Sequence, residues 1–479
     1  MRSHHSVLRH KVTVPLVMPT IVLVTALSVN AMATPTQWSF EHVIHSAQQN
    51  DPWLTANKHQ QQALESMSEA VNTLPTPTMT LGLANLPVDS FNFSQEAMTQ
   101  VKVGVSQKFP RGDSITIKNQ QLRIKSQAYP YQRQDRAAKV AVEVANLWLD
   151  IYQRQESIVL INKNRELFEQ LVNIAQARYG SFAGVTGQQD IVRAQLEVTR
   201  LDDRLTQLAQ QQSSLWGALK QWLISPNALQ RDNEVLLSTP LFSTMMVSKQ
   251  LPSVQPLLAD LLPLQSRDSQ SALHKLTRVM QNHPAILAIN KQILATKTGI
   301  QLAEQAYQPE WGINAHYGYR DDDPMGTSRS DFFSIGVSFD LPLFTNTSQD
   351  MAVKSAISST EAVKTEKLLV MRQLLSRYDS AQATLTQLQA RKSLYQKQLI
   401  PQTNALAKAA LTAYNNDRGD FIDVIKARIA RLDADIALLA INVNEQKIMM
   451  TLNYLAIGYI PQTSHVADHN NAFNLRELP

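Results

Sequence analysis

The sequence predicts a mainly α fold with a small β part, built from a duplicated unit of two strands followed by a helical hairpin. Three observations predict it. Apolar residues hold heptad spacing over long stretches: between Leu399 and Val443, the residues Ile425, Ile429, Leu432, Ile436, Leu439 and Val443 step four, three, four, three, four. Four short stretches alternate apolar and polar residues with period two. Three prolines also recur at one distance, since Pro52 and Pro284, Pro77 and Pro309, and Pro110 and Pro342 are each 232 residues apart.

Residues 1–33 read as a secretory signal peptide: Arg2, Arg9 and Lys11, then an apolar stretch from Val12 to Val29, then Ala31-Met32-Ala33 as a small-x-small cleavage site. The competing reading is an anchored N-terminal helix, which Pro15 and Pro19 would interrupt. The chain has no cysteine, which excludes lipid attachment through cysteine, a disulfide framework and thiolate metal sites. Its formal charge of +5 falls to +2 without the three leader cations, so there is no electrostatic case for nucleic acid. No later stretch approaches the roughly 18 to 20 apolar residues of a membrane-spanning helix. Any membrane residence after export must therefore use strands.

The first repeat is expected over 34–224. Residues 40–74 are polar and helical, with Asn50-Asp51-Pro52 early and Pro75-Thr76-Pro77 at the end. Strands are expected over 78–86 and 98–109, with a loop from Pro87 to Ala97. A helix over 114–178 carries Val140, Val144, Leu147, Ile151, Ile158, Ile161, Phe168, Val172 and Ala175 in heptad register, and Pro130 should kink it early. A Gly-rich break leads to a helix over 188–223 with Ile191, Ala194, Val198, Leu201, Leu205, Leu208, Leu215 and Leu219 as its seam. Residues 225–275 read as a linker of mixed character. The second repeat, 276–458, is expected to have helices over 276–307, 349–414 (broken at Pro401) and 420–456, with strands over 311–320 and 332–341. Residues 459–479 form a polar tail.

Strands of about ten residues suit a tilted bilayer crossing. Alternation puts Leu81, Leu83, Val101, Val103, Val105, Ile313, Ile335 and Val337 on a common kind of face. The aromatic residues Trp311, Tyr317, Tyr319, Phe332, Phe333, Phe339 and Phe344 crowd the strand regions as interfacial belts require. Four strands cannot close, and an open edge in lipid leaves backbone groups unpaired at several kcal/mol each. A trimer resolves this, giving a 12-stranded β-barrel and a ring of twelve helices. The bland reading is a soluble protein with two edge hairpins.

The pattern resembles the TolC family of outer-membrane efflux ducts over nearly all of the mature chain. Two Tyr-to-Asp segments carry the likeness: Tyr179 with Asp190-Ile191-Val192-Arg193-Ala194-Gln195, and Tyr414 with Asp423-Val424-Ile425-Lys426-Ala427-Arg428. Around the first strand pair, Leu81 to Asp89, Glu96 to Thr99 and Val105 to Pro110 are similar to the branch serving heavy-metal pumps of the resistance-nodulation-division class. The resemblance implies a homotrimer in the bacterial outer membrane whose barrel is continued by a periplasmic α-helical tunnel. It implies docking through the hairpin tips (Tyr179, Gly184, Asp190, Tyr414, Asp417, Arg418 and Gly419) on a periplasmic adaptor and an inner-membrane pump. It also implies a constriction at the positions of Asp423 and Lys426. Asp423 keeps the family's carboxylate there, whereas Lys426 does not, and the glycine usual three residues after the tyrosine is Asp417. Two carboxylates about 7 Å apart repel by roughly 2 kcal/mol at an effective dielectric near 20, and a lysine one turn on offsets this. The bland alternative is that both are ordinary solvated charges.

His283, His316, Met79, Met98, Met325 and Met351 suggest a soft-metal relay, with Met79 and Met98 as neighbours across the first strand pair, yet none falls at ligand spacing on a helix. Asp321-Asp322-Asp323 reads as a solvated loop. No catalytic constellation, resident metal or cofactor is expected. The leading expectation is a passive exit duct of a tripartite efflux system, exporting heavy-metal cations. The alternatives are a multidrug, dye or peptide duct of the same family and, from another class, a soluble periplasmic coiled-coil adaptor or scaffold.

Overall fold

A computed structural model describes residues 39–180, 188–225, 248, 250–257, 269–340, 346–416 and 418–458. The leader, most of the linker, the tail, and Gly184, Pro342, Phe344 and Asp417 lie outside the described residues. The first repeat comprises α1 (Phe40–Asn50), α2 (Pro52–Ala70), β1 (Thr78–Ala84), β2 (Gln100–Phe109), α3 (Ser114–Ser126), α4 (Ala128–Tyr179) and α5 (Gln188–Leu223). The second comprises α6 (Ser269–Gln281), α7 (Pro284–Glu304), a 3-10 turn (Gln305–Tyr307), β3 (Trp311–Tyr319), β4 (Phe332–Phe339), α8 (Asn346–Leu394), a π turn (Tyr395–Leu399), α9 (Ile400–Asn415) and α10 (Phe421–Leu455).

Several expected boundaries are corrected. The helix expected over 40–74 is two helices, because Asp51 leaves helical geometry and caps α2, accepting the Trp53 N–H at 3.0 Å with Pro52 as first residue. The helix expected over 276–307 divides in the same way at His283 and Pro284, and its first part starts at Ser269, inside the expected linker. The expected 114–178 helix divides at Gln127. Pro130 is then the third residue of α4, where its missing N–H has no helical partner to lose. Before Pro401, the second residue of α9, the backbone widens into the π turn and Ile400 bonds back to the Tyr395 carbonyl. The strands are shorter than expected. Asn85 ends β1 with a φ of 57° and accepts Thr99 Oγ1 on its carbonyl at 2.8 Å, closing the loop one residue beyond the ladder.

The four strands form one antiparallel sheet in the order β1-β2-β3-β4. The central pairing, Val101 opposite Tyr319 through Phe109 opposite Trp311, joins the two repeats. The helical cores are built from the heptad positions. Near the sheet-distal tips, Ile161, Phe168, Ala175, Ala194, Leu201, Leu208, Ile425 and Leu432 pack with Tyr414 and Phe421. Further along, Val140, Val144, Trp148 and Ile151 of α4 meet α1, Leu219 of α5, and Val443 and Met450 of α10. Ion pairs also cross between repeats: Lys447 to Asp150 at 2.6 Å and Arg204 to Asp433 at 2.8 Å.

Asp51 and His283 occupy equivalent caps, 232 residues apart. His283 is fully buried, and its two ring nitrogens have fixed roles. Nδ1 accepts the Ala285 N–H at 3.2 Å, and Nε2 donates to the Tyr454 carbonyl at 3.2 Å. That pair of bonds requires the neutral ring. Burial holds the imidazole below its ordinary value of 6.5, against the raising influence of Asp135, which itself accepts the Tyr454 hydroxyl at 2.9 Å and pairs with Lys139 at 2.6 Å. The unfolded chain therefore takes the proton first, and this site loses stability as pH falls below about 6.5. Thermal midpoints measured between pH 7 and pH 5 are expected to fall more steeply for the native chain than for His283→Asn, which keeps a capping side chain but does not titrate. Equal slopes would remove His283 as a source of acid sensitivity.

Candidate functional site

Two regions concentrate what the sequence singled out: the faces of the sheet and the ends of the hairpins. Residues paired across an antiparallel ladder point to the same side. The register therefore places Met79, Leu81 and Leu83 with Val105, Val103 and Val101, and these with Ala315, Tyr317 and Tyr319. Phe333, Ile335, Val337 and Phe339 complete the same face. All eight apolar residues grouped from the sequence share it. The face is bare: Leu81, Phe333 and Ile335 are more than 70% exposed. Trp311 and Phe339 meet at one end of it with ring centroids 5.0 Å apart, and Tyr317, Tyr319 and Phe333 stand at the other. At about 3.3 Å per residue, Trp311 and Tyr319 are roughly 26 Å apart along β3, close to the apolar band of about 25 Å on membrane barrels.

The opposite face carries Thr78, Thr80, Gly82, Gln100, Lys102, Gly104, Ser106, Lys108, Asn314, His316, Ser334 and Ser338. Phe332 also lies on this side, opposite Gly318, which corrects its assignment to an aromatic belt; its ring instead receives the Arg320 guanidinium at 3.8 Å. β1 and β4 are edges, each paired on one side only.

The metal-relay reading of the methionines is also corrected. Met79 pairs with Val105, while Met98 lies beyond the ladder's other end, past the Ala84 and Gln100 pair. Among the described residues no three His, Asp or Glu side chains are grouped to hold a metal ion. Asp323 serves its own loop, accepting the backbone N–H groups of Met325 at 2.9 Å and Thr327 at 2.8 Å. These bonds, that from Thr327 foremost, hold its carboxyl below the usual range.

At the second hairpin, Tyr414 is buried against Phe421, with ring centroids 5.3 Å apart. Arg418 N–H reaches back to the Ala413 carbonyl at 2.9 Å, the i+5 bond of a Schellman turn. Gly419 passes so close to the Ala413 backbone that a Cβ there would approach its carbonyl carbon at 3.2 Å. Asp423 is the third residue of α10, with Lys426 one turn on. Both are exposed, and both line a groove of about 630 Å³ with Leu406, Ala410 and Ala413 of α9. Neither has an ion pair within the chain among the described residues.

At the first hairpin, Tyr179 is 55% exposed and Asp190 is the third residue of α5. Arg193 stands one turn on, 3.7 Å from the Asp190 carboxylate. Asp190 with Arg193 and Asp423 with Lys426 are equivalent pairs, each member 233 residues from its counterpart. The sequence reading had named Asp190, Asp423 and Lys426 but not Arg193, although the same subtraction finds it. It had also passed over Lys102, because a single charge inside a strand carries meaning only once the faces are known.

No helix among the described residues is long and apolar enough to cross a membrane. No protein-family profile and no curated protein matches the chain. Solved structures do. The outer-membrane channel OprN is similar over 88% of this chain and 89% of its own, at 15% identity and a TM-score of 0.66. The transmembrane channel protein CusC is similar over 88% and 92%, at 12% identity and a TM-score of 0.66. The outer membrane protein VceC from Vibrio cholerae is similar over 87% and 95%, at 15% identity and a TM-score of 0.66. At such identities the likeness is one of architecture, and this mostly helical chain with its small four-stranded sheet has the fold of these outer-membrane channels.

Proposed function

We propose that the protein is the outer-membrane exit duct of a tripartite efflux system. The observation that carries this reading is the sheet itself. One face is apolar, banded by aromatics and exposed, the other is polar, and the edge strands β1 and β4 each lack a partner. Three chains pairing β4 of one with β1 of the next make a closed 12-stranded barrel, with lipid outside and water inside, and satisfy every edge. The same three chains bring six helical hairpins together as a periplasmic tunnel. A soluble coiled-coil adaptor would have no use for a bare apolar sheet face.

In this reading the hairpin tips meet a periplasmic adaptor and, through it, a resistance-nodulation-division pump of the inner membrane. Tyr179, Asp190, Arg418 and Gly419 would form the docking surface, with Gly184 and Asp417 in the turns beside them and Tyr414 supporting its tip from beneath. Asp423 would line the constriction, and Lys426 would offset the mutual repulsion of three such carboxylates. Heavy-metal cations are the proposed client, on the sequence likeness of the first strand pair; a drug or peptide client is the alternative. The duct does no chemistry, and selection of the client rests mainly with pump and adaptor.

The test is native mass and heat-modifiable mobility of the protein extracted in detergent from outer-membrane fractions, followed by single-channel recording. A mass three times that of the mature chain supports the duct, and a soluble monomer overturns it. In the trimer, Asp423→Ala is expected to change conductance and divalent-cation block while leaving the mass unchanged. Unaltered currents would remove Asp423 from the constriction. Metal and drug susceptibility of a deletion strain then separates the two clients.

A further inference from the structure

We infer that Lys102 makes the barrel lumen prefer anions, through a ring of three ammonium groups near its outer mouth. The inference rests on the trimeric duct reading and deepens it by naming the charge class that the barrel favours.

Lys102 stands on the polar face of β2, between Gly82 on β1 and Gly318 on β3. Neither neighbour has a side chain to cover it, and a Cβ at Gly82 would meet nothing within 4 Å. Among the described residues it has no ion pair and no side-chain hydrogen bond. The only other ammonium on this face, Lys108, sits at the inner end of the strand, 3.7 Å from Glu310 and beside the Arg111 and Asp340 pair, so that rim is close to neutral. No strand residue on either face is acidic. The loops at the outer end carry their own pairing, with Asp331 taking the Tyr317 hydroxyl and the Arg320 N–H. The net fixed charge of the lumen wall is therefore Lys102, repeated threefold by the trimer.

A ring of like charge in a pore selects against ions of its own sign. The reach of that selection is set by salt. Screening acts over about 8 Å at physiological ionic strength but about 30 Å at 0.01 M, so the preference should be strong in dilute salt and weak in concentrated salt. For the client, the ring favours an anionic solute over a free cation, and a metal ion would cross this barrel more readily as a neutral or anionic complex.

The experiment is a reversal-potential measurement on the purified full-length trimer in planar bilayers, with potassium chloride gradients at low and high concentration. The native chain is expected to pass chloride over potassium by about 2- to 5-fold in dilute salt, with the ratio approaching one in concentrated salt. Lys102→Met should abolish the preference and Lys102→Glu should reverse it, while the native mass of both variants stays trimeric. Identical reversal potentials for the native chain and Lys102→Met, or a native preference for potassium that Lys102→Glu leaves unchanged, overturn the inference and leave the duct standing. Absence of any conductance from the native trimer overturns the duct reading itself, and the inference with it.

Discussion

Ile335→Arg is expected to abolish assembly in the outer membrane, whereas Ser334→Arg, one residue away, should leave it intact. Ile335 is 71% exposed on the apolar face, opposite Ala315 at the middle of the β3 and β4 ladder. An arginine there meets hydrocarbon if that face is lipid-facing, at a cost of about 2–4 kcal/mol for each copy near the bilayer midplane. A trimer incurs that cost three times. Ser334 points the other way, opposite His316, into the aqueous lumen of the proposed barrel. The measurement is the amount of heat-modifiable trimer in outer-membrane fractions. Equal assembly of the two variants would mean that the apolar face does not meet lipid. Loss of Ser334→Arg alone would mean that the faces are reversed.

Trp148→Ala is expected to cost about 3–5 kcal/mol, the range for truncating a large buried aromatic residue. Trp148 is 1% exposed, at the point where α4 meets α1, α5 and α10, and the Trp216 ring stands edge-on to it at 6.5 Å. No neighbouring helix is positioned to refill so large a void without moving both repeats. Its indole N–H is buried and has no partner among the described residues. Trp148→Phe should therefore cost much less than the alanine change, since it keeps most of the volume and removes an unpaired donor. Thermal midpoints of the detergent-extracted trimer report both. A phenylalanine variant as weak as the alanine variant would show that the N–H has a bonded role.

These two variants divide along the line between what local pattern encodes and what it does not. The heptad residues Val144, Ile151, Phe168, Leu201, Ile425 and Leu432 were legible as a core because a helix places residues three and four apart on one face wherever it lies in space. The apolar strand face was legible for the same reason, since alternation alone decides sides. Phe332 was misplaced because its aromatic character outweighed its parity. The division of the first helix of each repeat was harder to read. Asp51 and His283 sit in polar, helix-tolerant sequence, and only the turn they make against α4 and the end of α10 shows them as caps.

By itself, the sequence determined the periods, and therefore the helices, the strands, their buried or bare faces, and the duplication that the 232-residue spacing records. The tertiary structure alone decided three matters. It paired β2 with β3 and so joined the repeats into one sheet, a contact between residues some two hundred positions apart that no local period encodes. It aligned the polar faces of all four strands, which turned Lys102 from an unremarked strand charge into the unpaired cation of that face. It also brought Asp190 with Arg193 and Asp423 with Lys426 to corresponding first turns, where equal backbone geometry gives each acid a base one turn away. Periodicity is a property of each chain segment on its own. Pairing, register and the company a charge keeps depend on which segments meet.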